Sequence, residues 1–370
     1  MITVTPEATW SDLAAMFAGA GSDGELAAPW RREGERAYLL SRSAWAMQAI
    51  ALWWQRHRDA APCFWLPDYF CNQSVAPLRE TEAELAFYPV GTDLNPSWAD
   101  CRASAEAARP DLFVLVHYFG IPGDAARARQ FCSETGALLI EDAAHAPLPS
   151  PGIGETGDFT FYSPPKLAAV PDGSVLLMRG NDAAQDLMAS VVSEMAARAA
   201  SAGLWLVKQA IRKIVPAALL PDPSSYGVRA FDDDSVGVIA PTPGLSGAGR
   251  SGLARLPRGL AAIIARRNEN ATRLGEVLVR DKGWRPIFAA TDVNVPYRLV
   301  MRCDDEATAA QRFDAYRRRG CPVESWPDLA PEVAAEPDRH AAAIRLRQTL
   351  LLFPVHQSIE IDELIRRCWF

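Results

Sequence analysis

The sequence predicts an α/β protein built on a mostly parallel sheet with helices on both faces. Three observations carry that reading. Between about residues 35 and 180, short apolar runs alternate with helical stretches, the pattern of strands joined by crossover helices. The helical stretches carry their own start and stop signals. Beyond about residue 255 a helix, a strand and a second helix follow in turn, which argues for a smaller C-terminal α/β domain.

Taken in order, "AYLL" meets a helix that begins near Ala44 and runs through "SAWAMQAIALWWQR". Strands are expected at 63–67 (CFWLP), 83–90 (AELAFYPV), 112–120 (LFVLVHYFG), 137–142 (ALLIED), 158–163 (DFTFYS) and 173–178 (GSVLLM). "GDAARARQFCSETG" opens with a capping residue and closes on Gly136, a C′ glycine. From 181 to 215 the spacing of Met188, Val191, Val192 and Met195, then of Leu204, Leu206, Val207 and Ile211, is helical throughout. "PDPSSYGVRAFDDD" and "PTPGLSGAGRSG" read as long loops. "LAAIIARRNENATRLGEVL" is an amphipathic helix with Ile263, Ile264, Leu274, Val277 and Leu278 on one face. A strand at 295–302, a helix at 305–319 and "TLLLFPVHQSIEIDELIRRCWF" complete the chain. The expected organisation is an N-terminal arm and helix over 1–34, a large domain over 35–254 and a small domain over 255–370.

Composition narrows the class of function. A chain of 370 residues, 49% hydrophobic and 22% charged, is globular material with enough length for a large core. The net charge of -7 gives no footprint for nucleic acid or an anionic membrane, so any anion site must be local. Seven scattered cysteines without a C-x-x-C pair argue against a disulfide framework or a zinc ribbon. No basic start with an apolar run opens the chain, and no apolar run is long enough to span a bilayer; a cytoplasmic enzyme is the expectation. Trp53 and Trp54 belong to the core or to a dimer interface.

Chemistry is to be sought just past the strand ends, where open α/β sheets bind ligands. Asp142 ends "LLIED", Ser163 and Lys166 follow "DFTFY", and Ser41 to Ser43 lie where "AYLL" meets its helix. Of 38 basic residues only Lys166, Lys208, Lys213 and Lys282 are lysines. Lys208 and Lys213 fall on a helix surface and Lys282 in "RDKGW". Lys166, set among turn residues, suits Schiff-base formation with a carbonyl. Asp142 could hold a pyridinium nitrogen protonated, making pyridoxal phosphate an electron sink, while Ser163 and the helix start at Ser41–Ser43 suit its phosphate. Each has a plainer reading: a solvated lysine, a carboxylate cap, simple N-cap serines. Ser163 and Lys166 also fit the S-x-x-K of serine acyl-transfer enzymes, but Pro164 and Pro165 deny the helix that motif needs and S-D-N and K-T-G are absent.

"VLVHYFGIPGD", "LLIEDAAHA" and "GDFTFYSPPKLAAVPDGS" together resemble the DegT/DnrJ/EryC1/StrS aminotransferases, with weaker likeness through "RRNENATRL" and "LLLFPVHQSI". The resemblance implies a fold-type-I pyridoxal-phosphate enzyme with a seven-stranded, mostly parallel sheet. It implies a homodimer that moves an amino group from glutamate to a keto-sugar or sugar nucleotide in polysaccharide or secondary-metabolite biosynthesis. By the same resemblance Lys166 is the cofactor-binding lysine and proton carrier, Asp142 pairs with the pyridine nitrogen, Ala144 lies against one ring face and His145 nears the phenolic oxygen. Ser163 and the Ser41–Arg42–Ser43 turn hold the phosphate, and Tyr69 or Phe70 covers the other ring face. Arg42 stands where the family places a glycine, and the partner-reaching G-x-N-x-R-M loop has only "SGAGRSG" near Arg250 as a counterpart. An arginine can hold a phosphate bidentately. These departures keep open a relative that binds the cofactor without transaminating, or one acting on a non-sugar substrate. His117 divides between packing and pocket lining, and His356 reads as structural.

Overall fold

The computed structural model describes residues 2–215, 242–280, 283–288 and 295–368; Lys282 and the loop reading of 221–234 lie outside them. Strands β1 (Glu35–Leu40), β2 (Cys63–Pro67), β3 (Glu84–Tyr88), β4 (Leu112–Val116), β5 (Leu138–Asp142), β6 (Phe159–Tyr162) and β7 (Ser174–Arg179) form one sheet in the order β1-β7-β6-β5-β4-β2-β3. Only β7 runs antiparallel to its neighbours. The interior strand β4, LFVLV, is buried along its whole length, as a parallel strand covered on both faces is. Edge strands β1 and β3 expose Arg36 and Glu84 instead. The registers Val116↔Asp142 and Asp142↔Phe161 bring the carboxyl ends of β4, β5 and β6 together.

The helix Ser43–Arg58 packs on this sheet through Trp53, whose ring meets Phe159 edge-on at 5.2 Å and whose Nε1 donates to the Ala184 carbonyl at 3.0 Å. Trp54 is buried beneath the Arg58 guanidinium. Both tryptophans therefore belong to the core of this chain. The helix Ala125–Thr135 is capped by Asp124 and ends on Gly136 at φ +84°, where the missing Cβ lets the chain turn left-handed.

Three expectations change. The run 112–120 leaves the sheet after Val116, because Phe119 takes φ +58° and turns its N–H toward the His145 ring. The helical stretch 181–215 is two helices, Asp182–Met195 and Gly203–Ile214. "SGAGRSG" is not a loop: the Ser246 side chain caps a helix that runs from Gly247 to Leu278. Its glycines serve a close approach. A Cβ at Gly249 would collide with Asp172 and one at Gly252 with the Val170 side chain, so glycine lets the helix start rest against the turn that follows Lys166.

A second sheet, in the order β10-β9-β8, pairs β8 (Trp284–Pro286), β9 (Arg298–Cys303) and β10 (Leu350–Pro354) antiparallel. Helices Glu306–Arg318 and Ile361–Cys368 cover it through Phe313, Tyr316 and Leu364. The long helix joins the two cores. Leu253, Leu256 and Leu260 pack with Leu39, Val175 and Leu177 of the large sheet, whereas Leu274 and Leu278 pack with Met301, Leu351 and Phe353 of the small one. His356, just past β10, is buried with Nε2 donating to the Thr3 carbonyl at 2.8 Å. Among the described residues, no helix is long and apolar enough to cross a membrane.

Two measurements check this packing. Gly249→Ala is expected to destabilise the chain by about 1–3 kcal/mol through overpacking, while Gly259→Ala, which meets nothing within 4 Å on the same helix, raises stability by up to about 1 kcal/mol in urea unfolding. Burial pushes the His356 ring from 6.5 down to about 3, so between those values the unfolded chain binds a proton that the folded chain refuses. Stability is present above about pH 6.5 and drains as pH falls toward 3. Melting temperature measured across this range is expected to fall less steeply in His356→Gln than in the wild type.

Candidate active site

Successive residues of a strand point to opposite faces, so Glu141 and Asp142 at the end of β5 enter different surroundings. Glu141 is fully bonded. Its carboxylate accepts from the N–H groups of Gly154 (2.6 Å) and Thr156 (2.7 Å), from the Thr156 hydroxyl (3.1 Å) and from Nε2 of His117 (2.8 Å). His117 Nδ1 accepts the Gly123 N–H, which places the ring hydrogen on Nε2 and makes it the donor. Burial alone would raise the Glu141 carboxyl; the His117 contact and the backbone N–H groups outweigh it and hold it at about 2. His117 is thus a structural partner that ties the Gly123 segment after β4 to Glu141 of β5.

Asp142 faces the other way and, among the described residues, has one hydrogen-bond partner, the Ala144 N–H, which donates to Oδ1 at 2.9 Å. Burial raises this carboxyl above the usual range, against the opposing pull of the Lys166 charge and the Ala144 N–H. Lys166 ends a single turn, Pro164–Lys166, three residues past Ser163. Its Nζ lies 3.1 Å from Nε2 of His145. Because His145 Nδ1 accepts the Phe119 N–H at 3.0 Å, the neutral ring carries its hydrogen on Nε2. The contact is then a hydrogen bond when the lysine offers a lone pair, the form in which an amine attacks a carbonyl. Burial drives the His145 ring well below its ordinary pKa, helped by repulsion from Lys166 and Arg298, so the ring stays neutral.

The imidazole is clamped between two rings, Tyr297 at 4.3 Å and Phe119 at 5.7 Å, both nearly coplanar with it in orientation. The Arg298 guanidinium covers the other side of Tyr297 at 4.2 Å and pairs with Glu324 at 2.7 Å. Lys166 Nζ lies 5.9 Å from the Tyr297 ring centre and 5.8 Å from that of Trp326. Tyr69 and Phe70, by contrast, are buried in the core; the Tyr69 hydroxyl donates to the Trp326 carbonyl and its ring meets the tryptophan edge-on. The rings beside the lysine are therefore Tyr297 and Trp326. Sequence reasoning passed over both. Tyr297 carries no sequence signal, since only the placement of β9 brings it to His145.

An anion could be met at two places. Ser163 is buried and its hydroxyl has no partner among the described residues. At the start of the helix Ser43–Arg58, Arg42 takes an extended backbone without a side-chain cap, which leaves the first-turn N–H groups at Ser43 and Ala44 open. The Ser41 hydroxyl is committed to the Thr242 carbonyl at 2.7 Å. Arg42 is exposed and lines a cavity of about 230 Å³ with Ser41, Asp172, Trp205 and Lys208. Ala144 is buried directly after Asp142 and Ala143. Arg250 pairs with Asp23 of the N-terminal arm. Among the described residues, no group of His, Cys, Asp and Glu could hold a metal ion.

The lysine, the buried aspartate and the buried serine all lie within one segment. Residues 87–199 match the DegT/DnrJ/EryC1/StrS aminotransferase family. The whole chain shares its fold with solved structures. The aminotransferase TlmJ from Streptoalloteichus hindustanus is 20% identical at a TM-score of 0.71, covering 100% of this chain and 98% of that one. Spr1654 from Streptococcus pneumoniae, solved in a PLP form, is 13% identical at 0.71, covering 99% and 97%. PseC from Helicobacter pylori, an aminotransferase involved in the biosynthesis of pseudoaminic acid, is 10% identical at 0.72, covering 99% and 96%. The shared architecture is fold type I. No curated protein matches the sequence significantly.

The Glu141 network is open to a direct check. Glu141→Gln would turn an amide donor toward groups that themselves donate, and urea unfolding is expected to show a loss of roughly 2–4 kcal/mol.

Proposed function

We propose that the protein is a pyridoxal-phosphate-dependent aminotransferase that delivers an amino group to the keto carbon of a sugar or sugar nucleotide. The observation that carries this reading is the juxtaposition of Lys166, its amine bonded to neutral His145, with the buried Asp142 carboxylate inside the family-matched segment. The donor set fits the cofactor. Among the described residues, Asp142 has an oxygen beyond the one that Ala144 occupies, and the Ser163 hydroxyl and the Ser43 helix start offer donors to a phosphate. When bound, pyridoxal phosphate supplies an electron sink for the carbanion formed at the amino-bearing carbon.

The chain's own residues do the rest. Lys166 would hold the cofactor and, once the donor amine takes its place, Nζ would take the proton from the donor's Cα and deliver it to the cofactor carbon that carries the nitrogen, rather than return it to Cα. His145 Nε2 aims that nitrogen. Asp142 keeps a cationic ring nitrogen company in a site where an unpaired charge would be costly. Tyr297 and Trp326 wall the lysine on the side from which an acceptor would approach. A glutamate donor rests on the family resemblance alone, and the sugar acceptor on that resemblance together with the relatives' described roles. A homodimer accords with the apolar stripe on the helix Gly203–Ile214, where Leu204 is 69%, Val207 55%, Ile211 44% and Ile214 71% exposed.

Purified protein titrated with pyridoxal phosphate is expected to gain a visible absorption band that Lys166→Ala lacks, with 2-oxoglutarate released when glutamate and a keto-sugar nucleotide are supplied. A wild-type protein without the band sinks the reading. A band without amino transfer to any keto-sugar would favour a relative that binds the cofactor for another purpose.

A further inference from the structure

Lys166 is held from both of its ends. Nζ bonds His145 Nε2, His145 Nδ1 accepts from Phe119 N–H, and the Phe119 carbonyl accepts from Tyr297 N–H at 3.1 Å. The Tyr297 carbonyl accepts from Nη1 of Arg267 at 3.2 Å, and Nη2 of the same guanidinium reaches the Lys166 carbonyl at 3.5 Å and that of Leu167 at 3.3 Å. The path closes on itself, passing once through the reacting lysine and once through Arg267. Nη1 also takes the Pro296 carbonyl at 3.0 Å.

Arg267 sits in the long helix with none of its surface exposed. The partners that the structure gives its guanidinium are these four backbone carbonyls, two from each side of the cleft. Two of them end the single turn that carries Lys166, where carbonyls lack partners of their own. Gln357 shares the Leu167 carbonyl at 3.1 Å, whereas the Lys166 carbonyl is met by Arg267. Without the guanidinium, the turn bearing the lysine and the segment bearing Tyr297 would lose their common fastening, and buried carbonyls would be left unpaired.

Resting on the aminotransferase reading, we propose that Arg267 is a positioning residue for Lys166. It fixes the lysine's backbone against the Tyr297 segment, so that the amine meets His145 Nε2 and is presented for attack on a carbonyl. Arg267 touches neither cofactor nor substrate and acts only through the lysine.

The test reads the lysine itself, with and without cofactor. Trace acetylation with acetic anhydride, followed by peptide mass spectrometry, gives the reactivity of Lys166 relative to exposed Lys208 in the same molecule. Arg267→Met is expected to lower that ratio about tenfold, because an amine no longer held against His145 loses its fixed orientation for attack. Arg267→Lys, whose single nitrogen cannot bridge both pairs of carbonyls, shows an intermediate fall and keeps the test alive should the methionine variant not fold. Asn270→Ala is the structural control. Asn270 is buried on the same helix and bonds the Val355 and His356 carbonyls, outside the closed path. Its ratio is expected to stay at the wild-type value while its melting temperature falls. The visible band formed with pyridoxal phosphate should appear more slowly in both Arg267 variants and at the normal rate in Asn270→Ala. An unchanged Lys166 ratio in the Arg267 variants, or an equal fall in Asn270→Ala, overturns the proposal. A wild type that forms no band overturns the cofactor reading alone, since the acetylation ratio does not involve the cofactor.

Discussion

The carboxylate of Glu141 accepts hydrogen bonds from both sides of the sheet's carboxyl edge, joining His117 beyond β4 to the Gly154–Thr156 loop before β6. Much of the site follows from that saturation. A buried charge is tolerated only when its lone pairs are met, and here one side chain fixes the spacing of three neighbouring strand ends. Asp142, one residue on, can therefore remain under-bonded without loosening the sheet. The contrast is a division of labour: one carboxylate is spent on architecture and the next is left available to a cation.

A similar logic governs the histidines. His117 and His145 each accept a backbone N–H at Nδ1, which sends the ring hydrogen to Nε2 in both. What differs is the group at the far end, a saturated carboxylate for His117 and the lysine amine for His145. The stack of Arg298, Tyr297, His145 and Phe119 keeps the second imidazole from turning away. The rings beside the lysine are thus carried by the small sheet and its loops, while the lysine and aspartate belong to the large one.

The strands of the large sheet were legible because a buried parallel strand is an uninterrupted apolar run, as in LFVLV and LLIED. Lys166, Asp142, Ser163 and His145 were legible for a related reason: they lie just beyond those runs, and strand ends of such a sheet converge. The start of the long helix was hidden. Gly247, Gly249 and Gly252 look like loop residues until the nearness of Val170 and Asp172 explains them, and that nearness is tertiary. Tyr297, Trp326 and Arg267 were hidden too, since nothing local records that β9, the 321–330 segment and the long helix meet at one lysine. Tyr69 and Phe70 show the converse. An aromatic pair after a strand end looked available to a ligand ring, yet it is consumed by packing and by the Trp326 carbonyl.

The two prolines before Lys166 have a consequence that lies in the unfolded chain. Pro164 and Pro165 each lock φ and restrict the residue before them, so the disordered segment samples few conformations and loses little entropy when the turn forms. A turn that is inexpensive to order needs few bonds of its own. The lysine's carbonyl is left free for a distant helix to grasp, and a local stiffness written into "SPPK" becomes the means by which residues a hundred positions away, at Arg267, come to govern the aim of one amine.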